Sequence, residues 1–376
     1  MSSLRVMSVF GTRPEAIKMC PLVLELDNTA GIDSFVCLTG QHRQMLDQVI
    51  DIFGVHVDAD LNIMRPRQSL TTITADILYG MEAVFDKIKP DIVLVHGDTS
   101  TSFAVALAAF YRKVAVGHVE AGLRTYNKYS PYPEEMNRCL TGRIADYHFA
   151  PTVTNAQNLK AEGIEKNVFI TGNTVIDAFK TTVRSSYCYK APELRSFDPK
   201  EFRTILMTAH RRENLGEPLI NICRAIKRLV QDYKDIQVVY PVHLNPAVRE
   251  TVYNILEGTE RVRLIDPIDV EDMHNLMAAS YMVMTDSGGL QEEAPSLGVP
   301  VLVLRTETER PEAVAAGTVK VVGVKEEAIY AEAMRLITDT VSYEAMAQAV
   351  NPYGDGHASE RIANHLCESA YSLMRK

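Results

Sequence analysis

The stretch DIVLVHGDTSTSFAVALAAFYRKVAVGHVE (residues 91–120) decides the fold. An apolar run, Asp91–Val95, ends on His96, Gly97 and Asp98; a helical pattern follows, and a second apolar run, Val114–Val116, leads to His118, Val119 and Glu120. Strands that read as continuous Val, Ile and Leu, without polar alternation, are buried on both faces, as in a parallel sheet covered by helices. The stretch is therefore one βαβ step with a carboxylate at each strand end.

The same rhythm extends in both directions. Arg5–Phe10, Phe35–Leu38 and Tyr147–Ala150 complete a first series. Thr182–Phe202 then mixes tyrosines, prolines and charge with no strand period, and the rhythm restarts in Thr204–Met207, Gln237–Tyr240, Val262–Ile265, Tyr281–Met284, Val301–Leu304 and Val319–Val322. Two doubly wound α/β domains follow, placed at 1–172 and 173–357. Residues 358–376 form a last amphipathic helix with Ile362, Leu366, Ala370 and Leu373 on one stripe, expected to cross back to the first domain.

Composition narrows the function classes. A chain of 376 residues exceeds the size at which one core usually splits, which agrees with two domains. Its net charge of −9 argues against a nucleic-acid binder, because such affinity rests on many Lys and Arg contacts to phosphates. The six cysteines stand singly, without Cys-x-x-Cys, and read as reduced packing residues of a cytoplasmic protein. No secretory signal and no apolar run of membrane-spanning length is found, so no membrane partner is expected.

Chemistry gathers where strands end. Ligands of open α/β sheets bind outside the carboxyl edges of the strands, which favours Asp98 and Glu120 over surface carboxylates. Asp98 also suits a helix N-cap. In FGTRPEAIK (10–18), Pro14 fits a first helical turn, the helix start could hold an anion, and Arg13 and Lys18 would add positive charge; capping with solvated cations reads equally well. Neither Gly-x-Gly-x-x-Gly nor a Walker A loop occurs, so neither NAD nor ATP hydrolysis is expected, and no metal cofactor. In SPYPEEMNR (130–138), Glu134 and Arg138 share a helix face, a spacing that a surface ion pair would also explain. His210 and His243 each follow a strand in the second half. DSGGLQEE (286–293) offers Ser287, Gly288 and Gly289 for close backbone approach to phosphate, with Glu293 placed to accept from ribose or simply exposed.

Taken together, FGTRPEAIK (10–18), TGQHRQM (39–45), HGDT (96–99), HVEAGLR (118–124), PEEMNR (133–138), HRREN (210–214), DSGGLQEE (286–293), TERPE (308–312) and NPYGDG (351–356) resemble the non-hydrolysing UDP-N-acetylglucosamine 2-epimerases, almost end to end. The resemblance implies two Rossmann-like domains facing a central cleft in the GT-B arrangement. It implies catalytic roles for Asp98, Glu120, Glu134, Arg138 and His210, and UDP binding by Arg13, Lys18, Arg212, Ser287, Gly288, Gly289 and Glu293. It also implies an activating second UDP-GlcNAc at Gln41, His42, Gln44, Arg67, Gln68 and His243, and a homodimer. The expected reaction interconverts UDP-GlcNAc and UDP-ManNAc through loss and re-addition of UDP, supplying ManNAc units for cell-surface polysaccharide. A hydrolysing epimerase, a GT-B glycosyltransferase and a non-catalytic UDP-sugar sensor are the alternatives.

Overall fold

The computed structural model describes residues 3–40, 43–65 and 67–374, with backbone alone at 43–45. In the first half lie strands β1 (Leu4–Phe10), β2 (Ile32–Leu38), β3 (Ala59–Asp60), β4 (Ile92–His96), β5 (Ala115–Val119), β6 (Tyr147–Ala150) and β7 (Val168–Ile170). They form one sheet in the order β3-β2-β1-β4-β5-β6-β7, parallel in each pairing. In the second half β8 (Arg203–Thr208), β9 (Ile236–Pro241), β10 (Val262–Ile265), β11 (Met282–Thr285), β12 (Val301–Val303) and β13 (Val319–Val321) form another parallel sheet, ordered β10-β9-β8-β11-β12-β13. Both are doubly wound α/β units. Each reverses its strand order once, between β1 and β4 and between β8 and β11, and such a switch point is where this architecture takes its ligands.

The helices of the first half that matter for the site are α1 (Arg13–Asn28), α2 (Arg43–Phe53), α3 (Leu70–Ile88), α4 (Ser100–Tyr111) and α5 (Glu134–Ile144). Every residue of β4 and β5 is buried, the physical counterpart of their unbroken apolar reading. Met7, Val9, Val93 and Val95 of the sheet pack in one core with Ile77 and Met81 of α3 and Val105 of α4. In the second half Ile205, Met207, Val238 and Met284 share a core with Ile222, Ile226 and Leu229 of helix Glu217–Asp232. A fully buried side chain of this kind stabilises by roughly 1.5–3 kcal/mol, so either core outweighs any single polar contact described below.

The chain divides into two compact units, Met1–Thr181 with Tyr353–Lys376, and Thr182–Pro352. Residues 173–181 and 353–357 thus group with the first unit, where the sequence reading had put them in the second. Local bonding explains it. Asn173 N donates to the Tyr353 carbonyl at 2.7 Å, and the Asp177 carboxylate accepts from Ala358 N at 3.2 Å and Ser359 N at 2.8 Å, satisfying orphan amides at the start of helix Ala358–Leu373. That helix buries Ile362, Ala363, Leu366 and Leu373 and packs on α1 within the same unit. The edge strands β3 and β7, two and three residues long, are too short to show a period and were not read from sequence.

Candidate active site at the switch points

At the first switch point a carboxylate of the chain itself sits on the amides that lead into α1. Thr12 caps α1 and Glu15 completes a capping box, burying its carboxylate. Glu15 Oε2 accepts from Gly11 N at 3.0 Å, Thr12 N at 2.8 Å and Thr12 Oγ1 at 2.8 Å, while Oε1 accepts from Thr99 Oγ1 at 2.6 Å and Ser102 Oγ at 3.3 Å. Two amides that lead into the helix start, Gly11 N and Thr12 N, are therefore bound to Glu15, and the β1 and β4 loops are tied through one carboxylate. A side chain at Gly11 has no room, since its Cβ would stand 1.9 Å from Thr39 Oγ1. Arg13 begins α1 and is half-buried.

One strand further, Glu120 leaves the end of β5 with φ of +60°, a left-handed backbone that costs a non-glycine residue about 1–2 kcal/mol. Such strain concentrates at functional sites. Lys18 of α1 pairs with Glu120 Oε2, which also accepts from Asn173 Nδ2 at 3.2 Å and lies 3.1 Å from His96 Nε2. Burial pushes this carboxyl's pKa up, but Lys18 and His96 together outweigh it and hold the group well below its ordinary value. Beneath it His118 donates from Nε2 to the Gly97 carbonyl at 2.7 Å. Burial pushes the His118 pKa down to about 3, so this ring is a neutral strut.

Asp98 does not cap α4; Thr99 does, accepting from Ser102 N at 3.1 Å. The Asp98 carboxylate pairs instead with Arg138, and its carbonyl accepts from Asn137 Nδ2 at 3.0 Å, so the start of α5 is bound to the end of β4. Arg138 also reaches Glu135 Oε2 at 3.3 Å. The surface Glu134–Arg138 pair that would also have explained the spacing is not formed among the described residues. Glu135, buried, accepts from Thr125 N at 3.0 Å and Tyr126 N at 2.9 Å. Glu134 is half-buried, and among the described residues its carboxylate has no hydrogen bond or ion pair. Glu135, His96 and Asn173 were missed in the sequence, where only an inward helical phase at 135 could have signalled the first of them.

In the second unit His210 and Asp286 leave β8 and β11, the two strands flanking the switch point, whose ends are joined by Thr208 Oγ1 and Thr285 Oγ1 at 2.7 Å. The His210 ring stacks on His243 with centroids 5.2 Å apart and planes at 10°. Burial lowers the His210 pKa, aided by His243 and Arg211 and opposed by Asp286. Ser287 precedes the short helix Gly288–Glu293. A Cβ on Gly288 would lie 3.7 Å from Arg310 Nη2 and 3.8 Å from Arg211 Nη2, so two guanidinium groups converge on this glycine. Arg310 is anchored by Glu292. Arg212, expected on UDP, is exposed, and it is Arg211 that reaches the Gly288 turn. Glu293 Oε1 lies 3.1 Å from where a Gly289 Cβ would be, and its Oε2 is 3.6 Å from His274 Nε2.

Of the residues expected for a second ligand, Gln41 and His42 lie outside the described residues, as does the Gln44 side chain. Arg67 is exposed, with φ of +60°. Gln68 is engaged with its own loop, donating to the Ile63 carbonyl at 2.7 Å and accepting from Arg65 N at 2.8 Å. His243 is exposed beside His210. Among the described residues no three His, Cys, Asp or Glu side chains gather as metal ligands, and no helix is long and apolar enough to cross a membrane.

Comparison with known proteins sets this geometry in context. The family model for UDP-N-acetylglucosamine 2-epimerase matches residues 24–367. The UDP-N-acetylglucosamine 2-epimerase of Bacillus subtilis is 58% identical, over 97% of this chain and 96% of its own length. That of Escherichia coli K12 is 52% identical, over 98% and 100%. A crystal structure of the Neisseria meningitidis UDP-GlcNAc 2-epimerase bound to UDP-GlcNAc superposes with a TM-score of 0.87 at 50% identity, covering 97% of this chain and all of that one.

Proposed function

This chain belongs to the UDP-N-acetylglucosamine 2-epimerase family, and from that premise we propose that it interconverts UDP-GlcNAc and UDP-ManNAc without net hydrolysis. The observation that carries this reading is the pair of carboxylates at adjacent strand ends, Asp98 and Glu120, each matched to its own cation, with the unpaired Glu134 at the start of α5.

The chemistry restricts the route. The hydrogen on sugar C2 is not beside a carbonyl, so direct deprotonation is too slow. Elimination avoids that problem. The C1–O bond breaks with its electron pair passing to the β-phosphate of UDP, a carboxylate takes the C2 proton, and C1 and C2 become doubly bonded in 2-acetamidoglucal. Return of a proton to the opposite face of C2, with re-attachment of UDP at C1, inverts C2 and balances every atom. Glu120, held ionised by Lys18 and His96, suits acceptance of a proton and stabilisation of the oxocarbenium-like transition state. Glu134 suits delivery from the other face, and Arg138 holds the Asp98 carboxylate by an ion pair. Arg13, Ser287, Gly288, Gly289 and His210 serve the departing diphosphate, with Arg211 and Arg310 adding charge where the sequence had assigned Arg212, and Glu293 takes the ribose.

The same reading includes a second UDP-GlcNAc as activator at Gln41, His42, Gln44, Arg67, Gln68 and His243; the stack of His243 on His210 supports a physical link from that set to the nucleotide groups. It includes a cytoplasmic homodimer. Tyr79 and Tyr111 stand exposed on α3 and α4 beside an apolar hollow that Leu78 and Phe85 also line, a face suited to cover by a second copy.

Incubation with UDP-GlcNAc in deuterated water, followed by proton NMR, tests the reading. UDP-ManNAc carrying deuterium at C2 is expected, and UDP-ManNAc offered alone should wait for added UDP-GlcNAc before it turns over. Free ManNAc with UDP would instead establish a hydrolysing enzyme, and unchanged substrate would leave a transferase or a sensor.

A further inference from the structure

Asp286 is fully buried and its two oxygens are used unequally. Oδ2 accepts from His210 N and Arg211 N at 2.8 Å each and from Asn214 Nδ2 at 2.9 Å, so it fixes the loop that follows β8. Oδ1 is buried without a hydrogen-bond partner and faces His210 Nδ1 across 3.5 Å. A buried carboxylate oxygen with no donor is a costly arrangement unless a charge arrives to meet it. His210 is the group placed to bring that charge. Its ring is restrained on the other side by the parallel His243 at the end of β9, and Arg211 of its own loop points to Gly288.

We propose that Asp286 is a positioning residue that keeps the His210 Nδ1 proton directed at its own Oδ1, so that His210 takes up a proton on Nε2 when an anionic diphosphate binds. The inference rests on the reading that His210 serves the diphosphate. Three neighbours face this imidazole. Burial is the main influence against the added proton, His243 and Arg211 add to it and Asp286 opposes it, with the net effect of lowering the ring's proton affinity. The incoming phosphate charge offsets the opposition of Arg211 and leaves Asp286 to hold the imidazolium. The proton comes from solvent and no covalent bond changes. A carboxylate that orients an imidazole and steadies its cationic form is the arrangement that general acid chemistry at a leaving group requires.

Calorimetry of UDP binding in buffers of different ionisation heat tests it. Near pH 7.5 the wild-type protein should take up about one proton per UDP as His210 becomes charged. Asp286→Asn retains an oxygen for the two amides but turns an NH2 group toward Nδ1; it should abolish the proton uptake and weaken UDP binding about 10- to 100-fold, the range for loss of an orienting partner. His210→Gln should also abolish uptake, and adding Asp286→Asn to it should weaken UDP binding no further. Full additivity in the double variant would show Asp286 to be merely structural and overturn the inference. If Asp286→Asn does not fold, uptake persisting in His210→Gln overturns it equally. UDP binding without uptake in the wild type sinks this proposal and leaves the epimerase reading intact, whereas proton-linked UDP binding without epimerisation does the reverse.

Discussion

Position 120 is asked to be charged while half-buried and to turn left-handed while carrying a side chain. Lys18 and His96 meet the first demand, and the carboxyl stays ionised because their opposition exceeds the effect of burial. Lys18→Met removes the larger of these opposing charges. Burial then prevails, the carboxyl pKa rises, and the acid limb of kcat/KM should move to higher pH, with about a 10- to 100-fold loss near pH 7 if Glu120 must accept a proton. A pH–rate profile checks this, and an unmoved acid limb with a raised KM would assign Lys18 to the nucleotide alone. Little of this pairing was legible in the sequence. Asp98, Glu120 and His210 stand out because strand ends can be read from apolar runs. Lys18 meets Glu120, and Asn173 joins them, across separations that no local pattern encodes. Neighbouring residues on a helix differ by roughly 100° in direction, so only the helical phase separates Glu135, which goes inward, from Glu134, which stays half-buried; as residue types the two look alike.

At the scale of the element, the turn from β1 into α1 is held more tightly than its capping sequence suggests. Pro14 and the capping box were legible as a helix start; the crossing of Glu15 to Thr99 and Ser102 was not, because it depends on β1 and β4 being neighbours. Gly11→Ala would place a methyl against Thr39 Oγ1, which is buried and shares a 3.0 Å hydrogen bond with Thr101 Oγ1. A stiff, bonded threonine cannot step aside, so a loss of about 1–3 kcal/mol is expected, as for other overpacked sites. Denaturant melts check it, and Thr39→Ser in the same chain, which keeps the crowding oxygen, should restore less stability than Thr39→Ala.

The whole molecule should prefer neutral over acidic conditions. His118 and His148 are buried neutral, with pKa values pushed down by burial to about 3 and about 4 from 6.5. The unfolded chain therefore binds their protons first as pH falls, and stability, complete above pH 6.5, should decline progressively toward pH 4; Glu120, also depressed, extends the loss below its ordinary value of 4.5. Melting temperatures across that window check it, and His148→Gln should give a shallower slope. At this scale the alternation of strands and helices announced the doubly wound architecture, while the boundary at Thr181 was missed because Asn173 meets Tyr353, and Asp177 meets Ala358 and Ser359, only after folding. Strand order alone would credit this chain with two equivalent nucleotide halves, yet two amides at one of them are engaged by a carboxylate of the chain itself. Glu15 thereby makes the two halves unlike in charge: in the first, Gly11 N and Thr12 N answer a carboxylate of the chain itself, while in the second the Gly288 turn faces the guanidinium groups of Arg211 and Arg310.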